Sequence, residues 1–538
     1  MDDSLRQVEI VILLLVAVLA LTTAARRLLI PYPILLVIGG LILGFLPALP
    51  VITLKPDLVF LVFLPPILWA AAYFTSWRDF RANIRPIGLL AVGLVLATTA
   101  AVAAVVHAAL PGLGWAGAIA LGAIVSPPDA VAVTALGRRL NIPHRIVTIL
   151  EGESLVNDAT ALILYRAAIA AAVGVRFVPA ETLLRFVLAA AAGIGIGLLV
   201  GALARRALEW SHDSFSEIAI TLICPYIAWV LAEQVQASGV LACVAGGLYI
   251  RRHFSAIVAP ATRIEARAVW NLLVFVLNGV IFILIGLQLR SLFNAVPAGR
   301  MGSILLIGAL VSGTAILVRL VWVPVAAWIP RWVSSSLRAR DPLPPWRALF
   351  LVGWTGMRGI VTLAGALALP LTTADGAAFP LRAEIILITF IVIFVTLVLQ
   401  GLSLTPLIRW LKLEKDRSLE QEEMRAREQA AAAALGHLDK VTGDGWPVPD
   451  QVEQLRVFYD RRLRRYAWPG TVAPECMVEA DEAFRRLRHE TLTAERRTLI
   501  DLRNRGVISD EVLHRLEYEL DVEALRLGVG EEQVVPGS

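Results

Sequence analysis

Charge is scarce in this chain of 538 residues: only 17% of them are charged, against 57% hydrophobic. A soluble globular domain carries about a quarter charged residues. With a mean hydropathy of +0.72, the composition excludes a soluble protein and is that of a polytopic membrane protein. Cysteine is scarcer still. Cys224, Cys243 and Cys476 have neither metal-ligand spacing nor pairing logic, which excludes a disulfide framework and a thiolate metal centre. The first two fall in apolar helices and are expected to pack as small hydrophobes. A cleavable signal peptide is not expected: Asp2 and Asp3 bring acids early, and the apolar run behind them is long enough to span. The net charge is a modest +5. Its basic residues sit mostly in short loops, so they read as topology signals and not as a nucleic-acid footprint.

What the chain does contain is a series of apolar windows of roughly 20 residues. About thirteen are expected to span a bilayer, near 8–25, 29–46, 56–75, 86–109, 114–137, 145–173, 182–206, 216–234, 238–250, 269–289, 303–329, 347–370 and 383–410. The ninth is short enough to be tilted, broken or partly re-entrant. Loops after odd-numbered spans are rich in arginine (Arg26, Arg27, Arg138, Arg139, Arg205, Arg206, Arg251, Arg252), whereas loops after even-numbered spans hold few basic residues, among them Lys55, Arg176 and Arg290. The positive-inside rule then places the N-terminus outside and the C-terminus in the cytoplasm, in a multi-pass protein of the cell inner (plasma) membrane. Residues 1–412 form the transmembrane domain. From 413 to 538 charge becomes dense, a run from Ala430 to Ala434 favours helix, and Val452, Leu455, Tyr459 and Leu463 recur at helical spacing. The tail is expected to be a cytoplasmic helical domain. It shows no catalytic or nucleotide-binding motif, and its sequence names no partner.

Against this apolar background a few ionisable residues stand out by depth. Asp129 lies within a turn of the middle of span five, Asp158 near the middle of span six, Arg319 of span eleven and Arg358 of span twelve. A charge at bilayer depth costs at least about 2.5–3.5 kcal/mol on insertion scales, so it tends to persist where it is useful. Four such groups at one depth on four helices point to a polar site at mid-membrane. Arg166 and Glu233 lie near the outer ends of their spans and are expected to snorkel outside that site.

Two of the same helices carry breaks. Pro127 and Pro128 remove two backbone donors just before Asp129, and Gly353, Gly356 and Gly359 loosen span twelve around Arg358. Freed backbone groups at membrane depth are tolerated only where protein or a water cavity satisfies them. The breaks lie seven spans apart, which points to an inverted repeat, residues 8–173 against 216–410, with the site where the two broken helices cross. On span six Ser154 and Asp158 share a face, and Asn157 lies one turn from Glu153 and Ser154. Carboxylate, hydroxyl, amide oxygen and carbonyl are hard ligands suited to Na⁺ or Li⁺. Burial disfavours the ionised carboxylate and a bound cation favours it, so such a group takes a proton or a metal ion in competition.

Taken in order, Phe63-Leu-Pro-Pro66, Ser126-Pro-Pro-Asp-Ala-Val131, Glu151-Gly-Glu-Ser-Leu-Val-Asn-Asp158, Ser238-Gly-Val-Leu-Ala242, Arg319 with Trp322, and Gly356-Met-Arg-Gly-Ile-Val361 resemble one group. It is the bacterial sodium/proton exchangers of the monovalent cation–proton antiporter family, in the NhaP-like branch, and the likeness covers nearly all of residues 1–412. It implies an all-α polytopic membrane protein that exchanges Na⁺ for H⁺ by alternating access. Asp158 would bind cation and proton in turn. Ser154 and Asp129 would join it as Na⁺ ligands, directly or through water, with Asn157 beside them. Glu153 would pair with Arg319, and Arg358 would compensate helix dipoles at the crossing. An asparagine before the aspartate accompanies electroneutral exchange in this family. The resemblance also implies a homodimer that moves a core against a scaffold, with no cofactor beyond the transported ions. Two departures stand out: Pro128 replaces a threonine hydroxyl, and Trp69 to Ala72 hold no acid after Pro66. They leave Li⁺ or K⁺ as alternatives to Na⁺.

Other classes fit less well. A gated cation channel could use the same oxygens, but no Thr-Val-Gly-Tyr-Gly filter occurs and the paired breaks favour alternating access. A sensor acting through its tail would leave Asp158 dispensable. A membrane-embedded enzyme lacks any nucleophile–base pair or metal-histidine motif in the spans.

Overall fold

The computed structural model describes residues 2–28, 30–45, 59–131, 142–173, 179–211, 213–373, 376–412, 418–441, 448–466, 475–505 and 507–526. Lys55, Arg138, Arg139, Arg176 and the expected end of span five (132–137) lie outside the described residues. Two compact units follow one another, Met1–Asp416 and Arg417–Ser538.

The first unit is helical almost throughout. Its longer helices are α1 (Asp2–Leu28), α2 (Tyr32–Gly44), α3 (Leu64–Phe74), α4 (Ile84–Ala109), α5 (Gly114–Val125), α6 (His144–Ala172), α7 (Pro179–Trp210), α8 (Ser214–Gln234), α9 (Gly239–Ile257), α10 (Pro260–Ala295), α11 (Ala298–Val333), α12 (Trp346–Trp354), α13 (Ile360–Leu367) and α14 (Arg382–Leu411). Among the described residues, 8 helices are long and apolar enough to cross a membrane, and shorter apolar helices cover Tyr32–Gly44, Val59–Phe74 and Pro111–Val125. The segment near 238–250, short enough to be tilted, broken or partly re-entrant, is unbroken: it lies in one continuous helix of 19 residues, α9. Ser238 caps it by accepting a hydrogen bond from the Leu241 N–H at 3.3 Å. Cys224 and Cys243 are buried free thiols.

Small residues set the closest helix approaches, as they must where lipid supplies no hydrophobic drive for association. On α2, a Cβ at Gly40 would fall 2.2 Å from the Ile283 carbonyl oxygen, and on α10 a Cβ at Gly286 would fall 2.2 Å from that of Val37. These helices therefore pack backbone to backbone. α3 packs against α9 in the same spirit, with the fully buried Trp69 laid over Gly246. Exchanging the second and third spans of one half with the ninth and tenth of the other turns the α2–α10 contact into the α3–α9 contact. That pairing is what an inverted repeat requires.

The second unit holds α15 (Ser418–Val441), α16 (Pro449–Tyr466), α17 (Glu475–Asn504) and α18 (Asp510–Arg526), with α15 against α16 and α17 against α18. Val452 is buried, whereas Leu455, counted in the same apolar stripe, is 47% exposed. The stripe is thus narrower than its spacing implies.

The α2–α10 contact generates a stability prediction. Gly40→Val should lower the melting temperature of the detergent-purified protein, because overpacking a tight contact typically costs about 1–3 kcal/mol. Gly88→Ala, where an added Cβ meets nothing within 4 Å, should leave it unchanged. Equal melting temperatures for Gly40→Val and the unmodified protein would show that the helices do not approach this closely.

Candidate functional site

Tandem proline ends α5 at Val125, and the chain runs non-helically from Ser126 to Ala130. Ser126 Oγ donates to the Ala123 carbonyl at 2.9 Å, taking up an acceptor left by the break. Across from it, α12 stops at Trp354 and α13 starts at Ile360, leaving Thr355 to Gly359 unwound. The two unwound segments cross and are joined by their backbones: the Asp129 N–H donates to the Met357 carbonyl at 2.7 Å.

Each half-helix end at the crossing meets a group of opposite sign. The Asp129 carboxylate accepts from the Val131 N–H at 2.9 Å and from the Ile360 N–H, so it caps the N-terminus of α13. Gly359 makes room for it, since a Cβ there would lie 2.0 Å from Asp129 Oδ2. Arg358 is 1% exposed. Its Nε donates to the Val125 carbonyl at the C-terminus of α5, at 3.0 Å, its Nη1 to Gly356 O, and its own N–H to Thr396 Oγ1 at 3.1 Å. Arg382 closes the far end of α13 on the Leu367 and Leu369 carbonyls, at 3.0 and 2.9 Å. Anions at helix N-termini and cations at C-termini are the stabilising sense of the helix dipole.

α6 runs beside this crossing. Glu153 and Arg319, 0% and 1% exposed, form a bidentate pair, with Nη2 to Oε2 at 2.8 Å and Nη1 to Oε1 as the second arm. Arg319 Nε also donates to Val352 O at 3.1 Å, which fastens α12 to the same pair. Asn157, fully buried, donates through Nδ2 to the Pro128 carbonyl at 2.9 Å, tying α6 to the first break. Its Oδ1 is buried and has no hydrogen-bond partner among the described residues.

Asp158 differs from all of these. It is 7% exposed and makes no hydrogen bond or ion pair among the described residues, while the Asp129 carboxylate stands within electrostatic reach. Ser154, half-buried, precedes it by one turn on the same face. Asp158, Asn157 and Asp129 are thus brought near one another where the broken helices meet α6, with Ser154 one turn before Asp158, and Pro127, Pro128 and Arg358 lie in that crossing. Glu153 and Arg319 are bound to one another beside it. Arg166 and Glu233 do not snorkel separately: they pair with each other at 2.8 and 3.0 Å, away from the crossing.

Some contributors are silent in the sequence. Thr396 lies in a π-helical turn, Thr396–Gln400, of α14, and a lone threonine in an apolar run gives no sign that it will accept from Arg358. Tyr32 hydrogen-bonds Asn278 and stands in the field of Asp129, bringing α2 and α10 to the crossing. A tyrosine at a span end reads only as an interfacial anchor.

The sodium/hydrogen exchanger transmembrane family matches residues 12–410. The chain belongs to this family. An uncharacterised Na⁺/H⁺ exchanger of Mycobacterium bovis is 34% identical over 523 residues, 96% of each chain. A sodium, potassium, lithium and rubidium/H⁺ antiporter of Bacillus pumilus is 32% identical over 471 residues, 85% of this chain and 69% of its own. Among solved structures, the sodium proton antiporter MjNhaP1 of Methanocaldococcus jannaschii superposes with a TM-score of 0.59 at 18% identity. That match covers 77% of this chain and 100% of the other. The exchanger fold is therefore a multi-pass membrane fold here too.

The Glu153–Arg319 geometry yields a double-mutant prediction. Removing one partner of a buried ion pair typically costs about 3–5 kcal/mol, because the other charge is stranded. Glu153→Gln and Arg319→Ala should each sharply reduce folded protein on size-exclusion chromatography, and the double variant should recover much of it. Strictly additive losses would show that the two side chains do not depend on one another.

Proposed function

We propose that this chain exchanges a monovalent cation for a proton across its membrane, with Asp158 carrying one or the other. One observation supports this reading above the rest. Glu153 is matched by Arg319, while Asp129 and Arg358 are matched by opposite helix ends; of these buried groups Asp158 alone has no partner among the described residues. An isolated buried carboxylate is strongly disfavoured, so the site is stable when Asp158 holds a proton or a cation. Both occupied states carry the same net charge. Exchange of one cation for one proton then moves no net charge, and the neutral Asn157 in place of a second acid keeps that balance.

The ligand set we infer is the Asp158 carboxylate, the Ser154 hydroxyl and the unpartnered Asn157 Oδ1. Asp129 contributes its charge, directly or through water, while it caps α13. These are hard oxygens, consistent with Na⁺ as the main cargo. Li⁺ and K⁺ remain within the reading, in line with the range in the Bacillus relative's name. The paired half-helices support alternating access in a homodimer. The chain would sit in the plasma membrane with its N-terminus outside and its tail in the cytoplasm, and would act as a transporter without a cofactor or catalytic residues.

Proteoliposomes with an imposed pH gradient provide the test. Added Na⁺ should dissipate the gradient, and Asp158→Asn should reduce the rate to that of empty liposomes. A full response in a folded Asp158→Asn protein removes the site assignment. The half-saturating Na⁺ concentration should rise as pH falls, by up to about tenfold per pH unit in the competitive limit; a value independent of pH rules out competition. Rates should not change when a membrane potential is imposed, and a measurable current would reject one-for-one exchange.

A further inference from the structure

Away from the crossing, the adjoining ends of α3, α9 and α10 gather cationic side chains. Arg251 lies with its guanidinium carbon 6.0 Å from the ring centroid of Tyr73. Arg251, Arg263 and Arg267, from two helices, all lie within electrostatic reach of the Tyr73 hydroxyl. Arg263 is aimed by a hydrogen bond from its Nη1 to the Val258 carbonyl at 3.2 Å. Arg251 and Arg267 form no ion pair among the described residues. Glu265 is two residues from Arg267, a spacing that does not bring side chains together on a helix.

Arg263 and Arg267 border an open cleft of about 550 Å³ along one face of α10, lined by Pro260, Arg263, Ile264, Arg267, Ala268 and Asn271. It sits at one end of the apolar stretch Pro260–Arg290, which is long enough to cross a membrane. Ile264 and Leu272 are 68% and 64% exposed beside it. The cleft thus has guanidinium and amide donors at its head and an open aliphatic wall leading into the bilayer. Guanidinium forks match phosphate oxygens in geometry and charge, and the aliphatic wall matches an acyl chain. A free anion would leave that wall unused.

We propose that this cleft binds the phosphate headgroup of an anionic phospholipid, with Arg263 and Arg267 on the phosphate and Ile264 and Leu272 along the acyl chain. Each arginine near an anionic lipid surface contributes about fivefold in affinity. The proposal needs only the membrane-spanning fold and stands whether or not Asp158 is the exchange site.

Full-length protein in a neutral detergent should be titrated with phosphatidylglycerol, phosphatidylcholine, glycerol phosphate and inorganic phosphate, with melting temperature as the readout. Phosphatidylglycerol should raise it saturably and the other three should not. Arg267→Gln should weaken the phosphatidylglycerol response about fivefold, and Arg263→Gln/Arg267→Gln about 25-fold. Both variants should keep Na⁺-driven proton flux in liposomes of phosphatidylcholine. An equal shift with phosphatidylcholine would mean a purely apolar site, and an equal shift with inorganic phosphate a free-anion site; either overturns the proposal. So does an unchanged phosphatidylglycerol response in Arg267→Gln, whose exposed side chain makes misfolding no explanation.

Discussion

A helix that stops inside a membrane leaves backbone N–H and C=O groups with no water to bond. This chain stops two helices at the same depth, and everything at its centre follows from how those ends are satisfied. Asp129 takes N–H groups of Val131 and Ile360, Arg358 takes the Val125 carbonyl, and a single backbone bond from Asp129 to Met357 holds the two breaks together. Acid and base are both consumed by the helix ends. The crossing is therefore electrically settled before any ion arrives.

That settlement leaves Asp158 apart from the other buried charges. α6 is fastened just ahead of it, at Glu153 to Arg319 and at Asn157 to the Pro128 carbonyl. The carboxyl group is held in place without a partner among the described residues. A charge that the protein leaves unpaired can be paired by cargo. The amide of Asn157 is divided in function: its nitrogen braces the broken helix, and its oxygen is left as a buried acceptor beside the aspartate.

Much of this was legible in the residues. Depth alone singled out Asp129, Asp158, Arg319 and Arg358, because an intramembrane charge is expensive enough to be informative. Pro127 and Pro128, and the glycines around Arg358, marked the breaks through backbone chemistry that no neighbour can undo. What stayed hidden depends on who sits opposite. Gly359 reads as a helix loosener, but its lack of a Cβ also admits the Asp129 carboxylate. Arg166 and Glu233 look like two separate surface charges until α6 and α8 bring them together. The short ninth segment looked breakable by length, yet its serine cap and packing on α3 keep α9 continuous. Apolar periodicity found the helices; it carries no information on which polar atoms meet.

The central claim is that one carboxylate exchanges a proton for a metal cation. Calorimetric titration of the purified protein with Na⁺, repeated in buffers of different ionisation enthalpy, counts protons released on binding. At a pH where Asp158 is protonated, the account predicts about one proton released for each Na⁺ bound, and none in Asp158→Asn, since a metal must displace the proton from its ligand. Na⁺ binding with a heat independent of buffer across the acidic range would contradict it.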